Sequence, residues 1–333
     1  MRSTHGWLVA GVLSLAGGGC SPALTPIDAV TGVWVTTRGG CAIAADGVAW
    51  CWGRNSNQEI DASKQTRTHA VPLAFPAPVT QLAQGAEATC AVLVDGAVQC
   101  FGPDLRSAEP RPIDGLAAAA GLLVGWQKIC GVGRDASLSC WTKGAARARP
   151  MFSWPAVKHA AGPVGERVCG VMVGGTVECF RLDFLLSGIG DDERPRPVAG
   201  LAGVESIARS GGYFCATHGD GAVDCWEGDA PDTRTRVLPP GDRLEFSGTP
   251  DYYCTRDADG EVACWDGIYQ ETRPVTGLSG VTSFAVGPSF GCAATADRRA
   301  LCWGFSDEGN LGNGVERELN RDPWVATPVL RAK

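Results

Sequence analysis

The residues of this chain whose types and spacing could do chemistry are its thiols. There are fifteen Cys against only four His. Fourteen of the Cys fall into pairs: Cys41 and Cys51, Cys90 and Cys100, Cys130 and Cys140, Cys169 and Cys179, Cys215 and Cys225, Cys254 and Cys264, Cys292 and Cys302. Each pair is ten positions apart, and the seven pairs recur about every 42 residues, the mark of a repeat protein. Two chemistries are open to thiols in such an array. Zinc is disfavoured, because the spacing is not a zinc pattern and no His recurs beside it. Disulfides suit a chain that leaves the reducing cytosol, and one is expected within every pair.

Nothing else in the sequence forms a catalytic constellation. His5, His69, His159 and His218 have unrelated places in the repeat. There is no Gly-x-Ser-x-Gly elbow, no His-Glu-x-x-His and no phosphate loop. Asp257-Ala258-Asp259-Gly260 has an acidic start suggestive of calcium but lacks the rest of that loop, and Asp191-Asp192-Glu193 reads as solvated polarity. No catalytic residue, metal or cofactor is expected, and the chain is read as a non-enzyme.

The elements that must position the thiols follow from what lies between them. Asp46-Gly47, Asp95-Gly96, Asp135-Ala136, Gly174-Gly175, Asp220-Gly221, Asp259-Gly260 and Asp297-Arg298 share one offset. Asp-Gly between apolar runs is a hairpin turn, because glycine takes positive φ without a Cβ clash. A three-residue loop such as Val94-Asp95-Gly96 sets Cys90 directly opposite Cys100, at the closely spaced type of strand pair. Ala136 and Arg298 must either accept the left-handed conformation or use another loop.

An aromatic follows every second cysteine: Trp52, Phe101, Trp141, Phe180, Trp226, Trp265 and Trp303. A smaller residue follows every first: Ala42, Ala91, Gly131, Gly170, Ala216, Thr255 and Ala293. By strand alternation both lie on the face opposite the disulfide. Repetition in every unit favours packing between sheets over a set of sugar-stacking platforms. An apolar-x-x-apolar strand precedes each hairpin, as at Val79–Leu82, Val204–Ile207 and Val281–Phe284. Before it lies a short Pro-Val-like strand, as at Pro112-Ile113, Pro197-Val198 and Pro274-Val275. Four short strands repeated seven times predict an all-β fold, a seven-bladed propeller of four-stranded antiparallel blades spanning residues 30–330. The spare strand Thr327-Pro328-Val329-Leu330 is expected to join the first blade and close the ring, so that truncation before Thr327 destabilises the fold.

The N-terminus reads as a targeting segment. Arg2 precedes a short apolar stretch, Trp7–Ala16, and then Gly17-Gly18-Gly19-Cys20. Residues 1–20 are taken as a signal peptide that resembles a bacterial lipoprotein signal with Cys20 as the lipidated residue, although Gly17 stands where such signals usually have Leu. Plain secretion, leaving Cys20 as a free thiol, is the alternative. Residues 21–29 are taken as a linker, and the expected location is the bacterial cell envelope, otherwise the secreted space. No later apolar run could span a bilayer. A net charge of −7 argues against nucleic acid, or a membrane beyond the lipid anchor, as a partner recruited by charge.

Cys292-Ala293-Ala294, Leu301-Cys302-Trp303-Gly304, Asn310-Leu311-Gly312-Asn313-Gly314 and Pro328-Val329 together resemble the regulator of chromosome condensation repeats, and Cys51-Trp52-Gly53-Arg54-Asn55 repeats part of the pattern. The resemblance spans about residues 30 to 330 and implies the same seven-bladed propeller. The middle units lack the Leu-Gly-x-Gly element, so their connecting loops are expected to differ. The nucleotide exchange known in the family is a cytosolic or nuclear task, at odds with a signal peptide and disulfides. The resemblance also admits an inhibitor of β-lactamases.

Topology places the long connectors after the second cysteines, such as 54–70, 182–194 and 305–326, at one mouth of the ring. The loops before the first cysteines emerge there too, with Trp126, Tyr213, Phe214, Tyr252, Tyr253 and Phe290. Aromatic residues that join large area to a polar handle anchor interfaces, although those beside a cysteine can instead turn inward as core. These six are the candidate partner-binding residues, and the apolar run Leu185–Ile189 lies on the same side. The reading that follows is a cell-envelope interaction scaffold for an unidentified protein. A secreted inhibitor of a hydrolase and a carbohydrate-binding module with a glycan partner are the alternatives.

Overall fold

The hairpins form as the spacing requires, and one turn geometry closes all seven. In blade two the Gly96 amide donates to the Leu93 carbonyl at 2.9 Å and Leu93 N–H to Ala97 O at 2.8 Å, enclosing Val94-Asp95-Gly96. Gly96 has φ +85°, and Ala136 and Arg298 adopt the left-handed conformation as well, both at φ +61°. The Asp95 carboxylate accepts the Ala97 amide at 2.9 Å, which is the reason for aspartate at this offset. Each first cysteine faces its second across the hairpin. All seven expected disulfides are present. Cys41 is bonded to Cys51, Cys90 to Cys100, Cys130 to Cys140 and Cys169 to Cys179. Likewise Cys215 is bonded to Cys225, Cys254 to Cys264 and Cys292 to Cys302. Their Cα separations lie between 3.9 and 4.1 Å, the close approach that the hairpin register imposes.

The computed structural model describes residues 23–333, apart from 37, 86, 117–120, 126, 165, 183–193, 229, 242–244 and 319–321 and the side chains of 164 and 210. The signal segment, Cys20, Trp126, the Leu185–Ile189 run and Asp191-Asp192-Glu193 lie outside the described residues. Seven antiparallel sheets form a seven-bladed propeller. Blade two shows the plan, with Val79–Gln84 innermost, then Thr89–Leu93, Val98–Gly102 and, outermost, Ser107–Pro112.

The Pro-Val strands sit differently from expectation. Instead of opening the following blade, each pairs with the hairpin before it: Gln99 lies opposite Pro112 and Cys179 opposite Arg196. The proline suits this place, because the outer edge of a blade has no further strand to receive an N–H. Ring closure changes accordingly. Thr327–Pro328 completes blade seven, opposite Leu301 and Cys302, rather than joining blade one. Of this terminal stretch, the part that pairs as a strand across the joint is Leu330–Ala332. It pairs antiparallel with Leu24–Pro26 and meets the outer strand of blade one at Arg331 and Ala70. The expected linker is therefore structured from Leu24 onward, and Ile27 is 1% exposed in the core.

Between blades, the disulfide face of one sheet meets the aromatic face of the next. Cys90 and Cys100 cluster with Ile129 and Trp141, Cys254 and Cys264 with Ala293 and Trp303, and Cys292 and Cys302 with Ala42 and Trp52. In the same way Cys130 and Cys140 of blade three cluster with Val168 and Phe180 of blade four, and Cys215 and Cys225 of blade five with Phe246 of blade six. The contact of Cys292 and Cys302 with Trp52 joins blade seven to blade one. At the joint of blades six and seven the Trp303 indole N–H points to Cys264 Sγ at 3.2 Å. The rings need small cross-strand partners: a Cβ on Gly40 would lie 2.6 Å from Trp52 Cζ2, and one on Gly291 2.5 Å from Trp303 Cζ2. These glycines, one position before the first cysteine, carry the closest ring contacts, while the small residues one position after it share the same face.

Candidate functional site

The inner strands surround the axis, and the loops that follow them converge at one end. Several of these loops begin on glycine because the next loop is pressed against it. A Cβ on Gly85 would stand 2.7 Å from the Gly125 carbonyl oxygen, one on Gly125 2.3 Å from Pro163 Cγ, and one on Gly287 2.8 Å from the Thr36 carbonyl oxygen. The connectors lie outside this paving and tie neighbouring blades together. Glu59 of the blade-one connector accepts Thr89 Oγ1 at 2.6 Å and Gln84 Nε2 at 3.1 Å through its backbone carbonyl, both from blade two. Asn55 is wholly buried and braces that connector by accepting the Ile60 amide at 2.8 Å. The blade-seven connector reaches both ways: Asn310 O accepts the Trp52 indole N–H at 2.9 Å, and Trp324 O accepts the Thr276 amide at 2.8 Å.

The loops and the blade-one connector enclose a cavity of about 360 Å³, lined by residues of blades one, two, five and seven. Arg38, Arg54 and Arg209 face it together with Glu59, Asn57 and Gln84. Arg38 is held by Glu308 at 2.6 Å, and that carboxylate raises its pKa. Arg54 Nε donates to Ser56 Oγ at 2.6 Å, and the Glu59 carboxylate accepts the Asn57 amide at 2.8 Å. Arg209 donates from Nη1 to the Val124 carbonyl at 2.9 Å, reaching past blade four to blade three. Its side chain is exposed to the cavity, and the protein packed around that cavity pulls its pKa down by desolvation.

The aromatic candidates fare unequally. Phe214 is 0% exposed and packs 5.8 Å from Trp226 in the joint of blades four and five, and Phe290 is 0% exposed in the closure cluster. Tyr252, 5% exposed, stacks on Trp324 at 6.5 Å. These three are core residues and not contact surface. The reason is alternation: the second strand of a blade is covered on both faces, so a side chain one or two positions before the cysteine enters one joint or the other. Tyr213 and Tyr253 are half-buried, the latter between Phe246 at 5.3 Å and Trp265 at 6.4 Å. Large exposed apolar side chains come instead from the connectors, among them Ile268 at 81%, Tyr269 at 54% and Phe305 at 39%. Their signal in the sequence was position alone, just after the third strand, where no neighbouring blade covers the chain.

The histidines do not converge. His159 Nε2 accepts the Ile207 amide at 2.8 Å, His218 lies between Ala202 O and the Asp224 carboxylate, and the His69 backbone forms an antiparallel bridge with Asn313. Asp257 Oδ1 accepts the amides of Asp259 and Glu261, so that acidic segment serves its own turn. Among the described residues no group of three or more His, Cys, Asp or Glu is arranged to hold a metal ion. Of the seven repeat aromatics, all but the half-buried Trp265 are at most 4% exposed, which fits packing rather than sugar stacking.

No family model matches the sequence, and no curated protein matches it. Solved structures do. Prp20p of Saccharomyces cerevisiae, the yeast RCC1, superposes with a TM-score of 0.66 at 14% identity, over 86% of this chain and 87% of that one. The chain has the seven-bladed fold of the regulator of chromosome condensation proteins. The ectodomain of the Arabidopsis thaliana receptor kinase ACR4 gives 0.53 at 18% identity over 84% and 96% of the two chains. PorZ of Porphyromonas gingivalis, a bacterial surface component of a secretion system, gives 0.56 at 12% identity over 84% of this chain and 38% of that one. The Prp20p structure is described together with its binding to Gsp1p and histones.

Proposed function

We propose that this chain is a non-catalytic interaction scaffold of the bacterial cell envelope, anchored through Cys20, that binds a protein partner on the connector face. The observation that carries the reading is the gathering of inner-strand loops and connectors around one cavity, with Ile268, Tyr269 and Phe305 exposed on the connectors. Variable loops on a rigid repeat frame are where such folds place recognition, and here one disulfide in each blade stiffens the frame. The fold is shared with Prp20p, which binds proteins. Burial of every repeat tryptophan except Trp265 removes the regular stacking platforms that a glycan would use, which favours a protein.

The test is quantitative capture from an envelope extract, with the mature chain compared against an Ile268→Ser, Tyr269→Ser, Phe305→Ser variant whose far-ultraviolet spectrum and disulfide count are unchanged. A protein held in stoichiometric amount by the wild type and lost by the variant supports the scaffold. Equal capture by both moves the surface off this face, and no capture overturns the protein-binding reading. Mass analysis of the mature N-terminal peptide tests the anchor, since a Cys20 without acyl groups excludes it.

A further inference from the structure

The mouth cavity has a charge pattern opposite to that of the protein as a whole. The chain carries −7, yet three arginines and a single carboxylate, Glu59, line this cavity. Two of the four are already occupied locally, since Arg38 is paired with Glu308 and Glu59 accepts the Asn57 amide. Arg54 and Arg209 remain without an ion-pair partner among the described residues, bonded only to a hydroxyl and to a carbonyl oxygen. Arg209 is the more telling of the two. A guanidinium has five N–H donors in a planar fork, and one contact to Val124 O leaves most of that fork facing the cavity. An arginine that lines a cavity with most of its donors unspent, and without an ion-pair partner among the described residues, favours an incoming anion.

We infer that the mouth is a carboxylate-binding site, in which Arg209, with Arg54 beside the same cavity, receives an acidic group of the bound partner. This rests on the protein-binding reading above and names what the partner presents. A carboxylate matches the guanidinium fork with two parallel N–H···O bonds. The overall negative charge does not oppose this. At physiological ionic strength the Debye length is about 8 Å, so distant surface carboxylates are screened while groups inside the cavity are not. A concave site of one sign also focuses its field on whatever enters.

The experiment uses the disulfide-intact chain and four fluorescent alanine-based probe peptides. One contains two Glu and has both ends blocked, its counterpart has Gln in place of Glu, a third has no acidic side chain but a free C-terminal carboxylate, and the fourth is the fully blocked alanine peptide. Anisotropy titrations are made at low and high salt with the wild type, Arg209→Gln and Arg54→Gln. The expected result is binding of a carboxylate probe about tenfold tighter than its neutral counterpart, weakened by salt and lowered by about the same factor in Arg209→Gln. Arg54→Gln, which loses only a bond to Ser56, gives a second reading if Arg209→Gln folds poorly. Preference for the Glu peptide assigns a side-chain carboxylate, and preference for the free terminus assigns a chain end. Binding of all four probes alike, binding of none, or wild-type affinity in both variants overturns the inference. A captured partner that ignores both substitutions overturns it while leaving the scaffold standing. Arginine-dependent probe binding without any captured protein keeps the site and rejects the scaffold.

Discussion

Ring closure includes one side chain, Val329, that can be altered without touching the blades' hydrogen bonds. Val329 is 0% exposed and packs with Trp52, Leu311, Cys292 and Cys302 in the cluster joining blade seven to blade one. Its amide donates to Ala300 O at 3.0 Å and its carbonyl accepts the Ile27 amide at 2.9 Å, so its backbone is fixed from both sides. Val329→Ala keeps those bonds and removes two methyl-sized groups from a full enclosure. At about 0.8 kcal/mol per buried methylene, plus a term for the cavity left in a site too constrained to collapse, the expected cost is about 2–3 kcal/mol. Val325→Ala is the control. It lies in the same terminal stretch but is 40% exposed, and is expected to cost less than about 0.5 kcal/mol. Urea unfolding followed by tryptophan fluorescence measures both. Hydrogen exchange then localises the effect, which should appear first in Val30–Val35 and Phe290–Thr295, the strands flanking the joint. Truncation after Val329 removes the half-exposed closing strand Leu330–Ala332 and the final Lys333, whereas truncation after Ala326 also takes Val329 and the outer strand of blade seven, and should be the more damaging. Equal midpoints for Val329→Ala and Val325→Ala, or exchange quickened in blades three to five instead, would refute this account of closure.

Two further outcomes follow from the joints. Trp52 and Trp226 are both 1% exposed, but the Trp52 indole N–H is bonded to Asn310 O while that of Trp226 has no acceptor among the described residues. Trp52→Phe should therefore cost about 1–3 kcal/mol more than Trp226→Phe in the same urea assay, and similar costs would reject the argument. His159 has its pKa lowered, by burial first and by the Lys158 charge second, while its Nε2 accepts the Ile207 amide. A histidine held neutral contributes stability that is complete above its ordinary pKa of about 6.5 and is lost as pH falls below it. The thermal midpoint should rise from pH 5 to pH 7 in the wild type and rise less in His159→Gln, which keeps an acceptor but does not titrate; parallel profiles would exclude His159 as the cause.

Much of this protein was legible in the chain because its repeat is written in residues with a single geometric meaning. A ten-residue cysteine spacing around Asp-Gly admits one hairpin register, and that register places every disulfide and every ring. Alternation then made the aromatic-against-disulfide joints readable, although which small residue the ring touches, Gly40 rather than Ala42 beneath Trp52, required the cross-strand contact itself. The blade boundary was not legible, because a Pro-Val strand lies between two hairpins in sequence and only pairing decides its owner.

The same limit applies to the mouth. The sequence by itself determined the strand content, the thiol pairing, the number of blades and the end of the ring at which the connectors emerge, since all of these follow from local spacing and chain direction. Only the tertiary structure decided which aromatic residues are surface. Phe214, Tyr252 and Phe290 sit beside exposed loops in the chain, yet enter joints made by blades distant in sequence. Only the closed ring brings Arg38, Arg54 and Arg209 to one cavity from blades one and five, because burial and shared electrostatic surroundings are properties of neighbours in space, which a periodic sequence does not name.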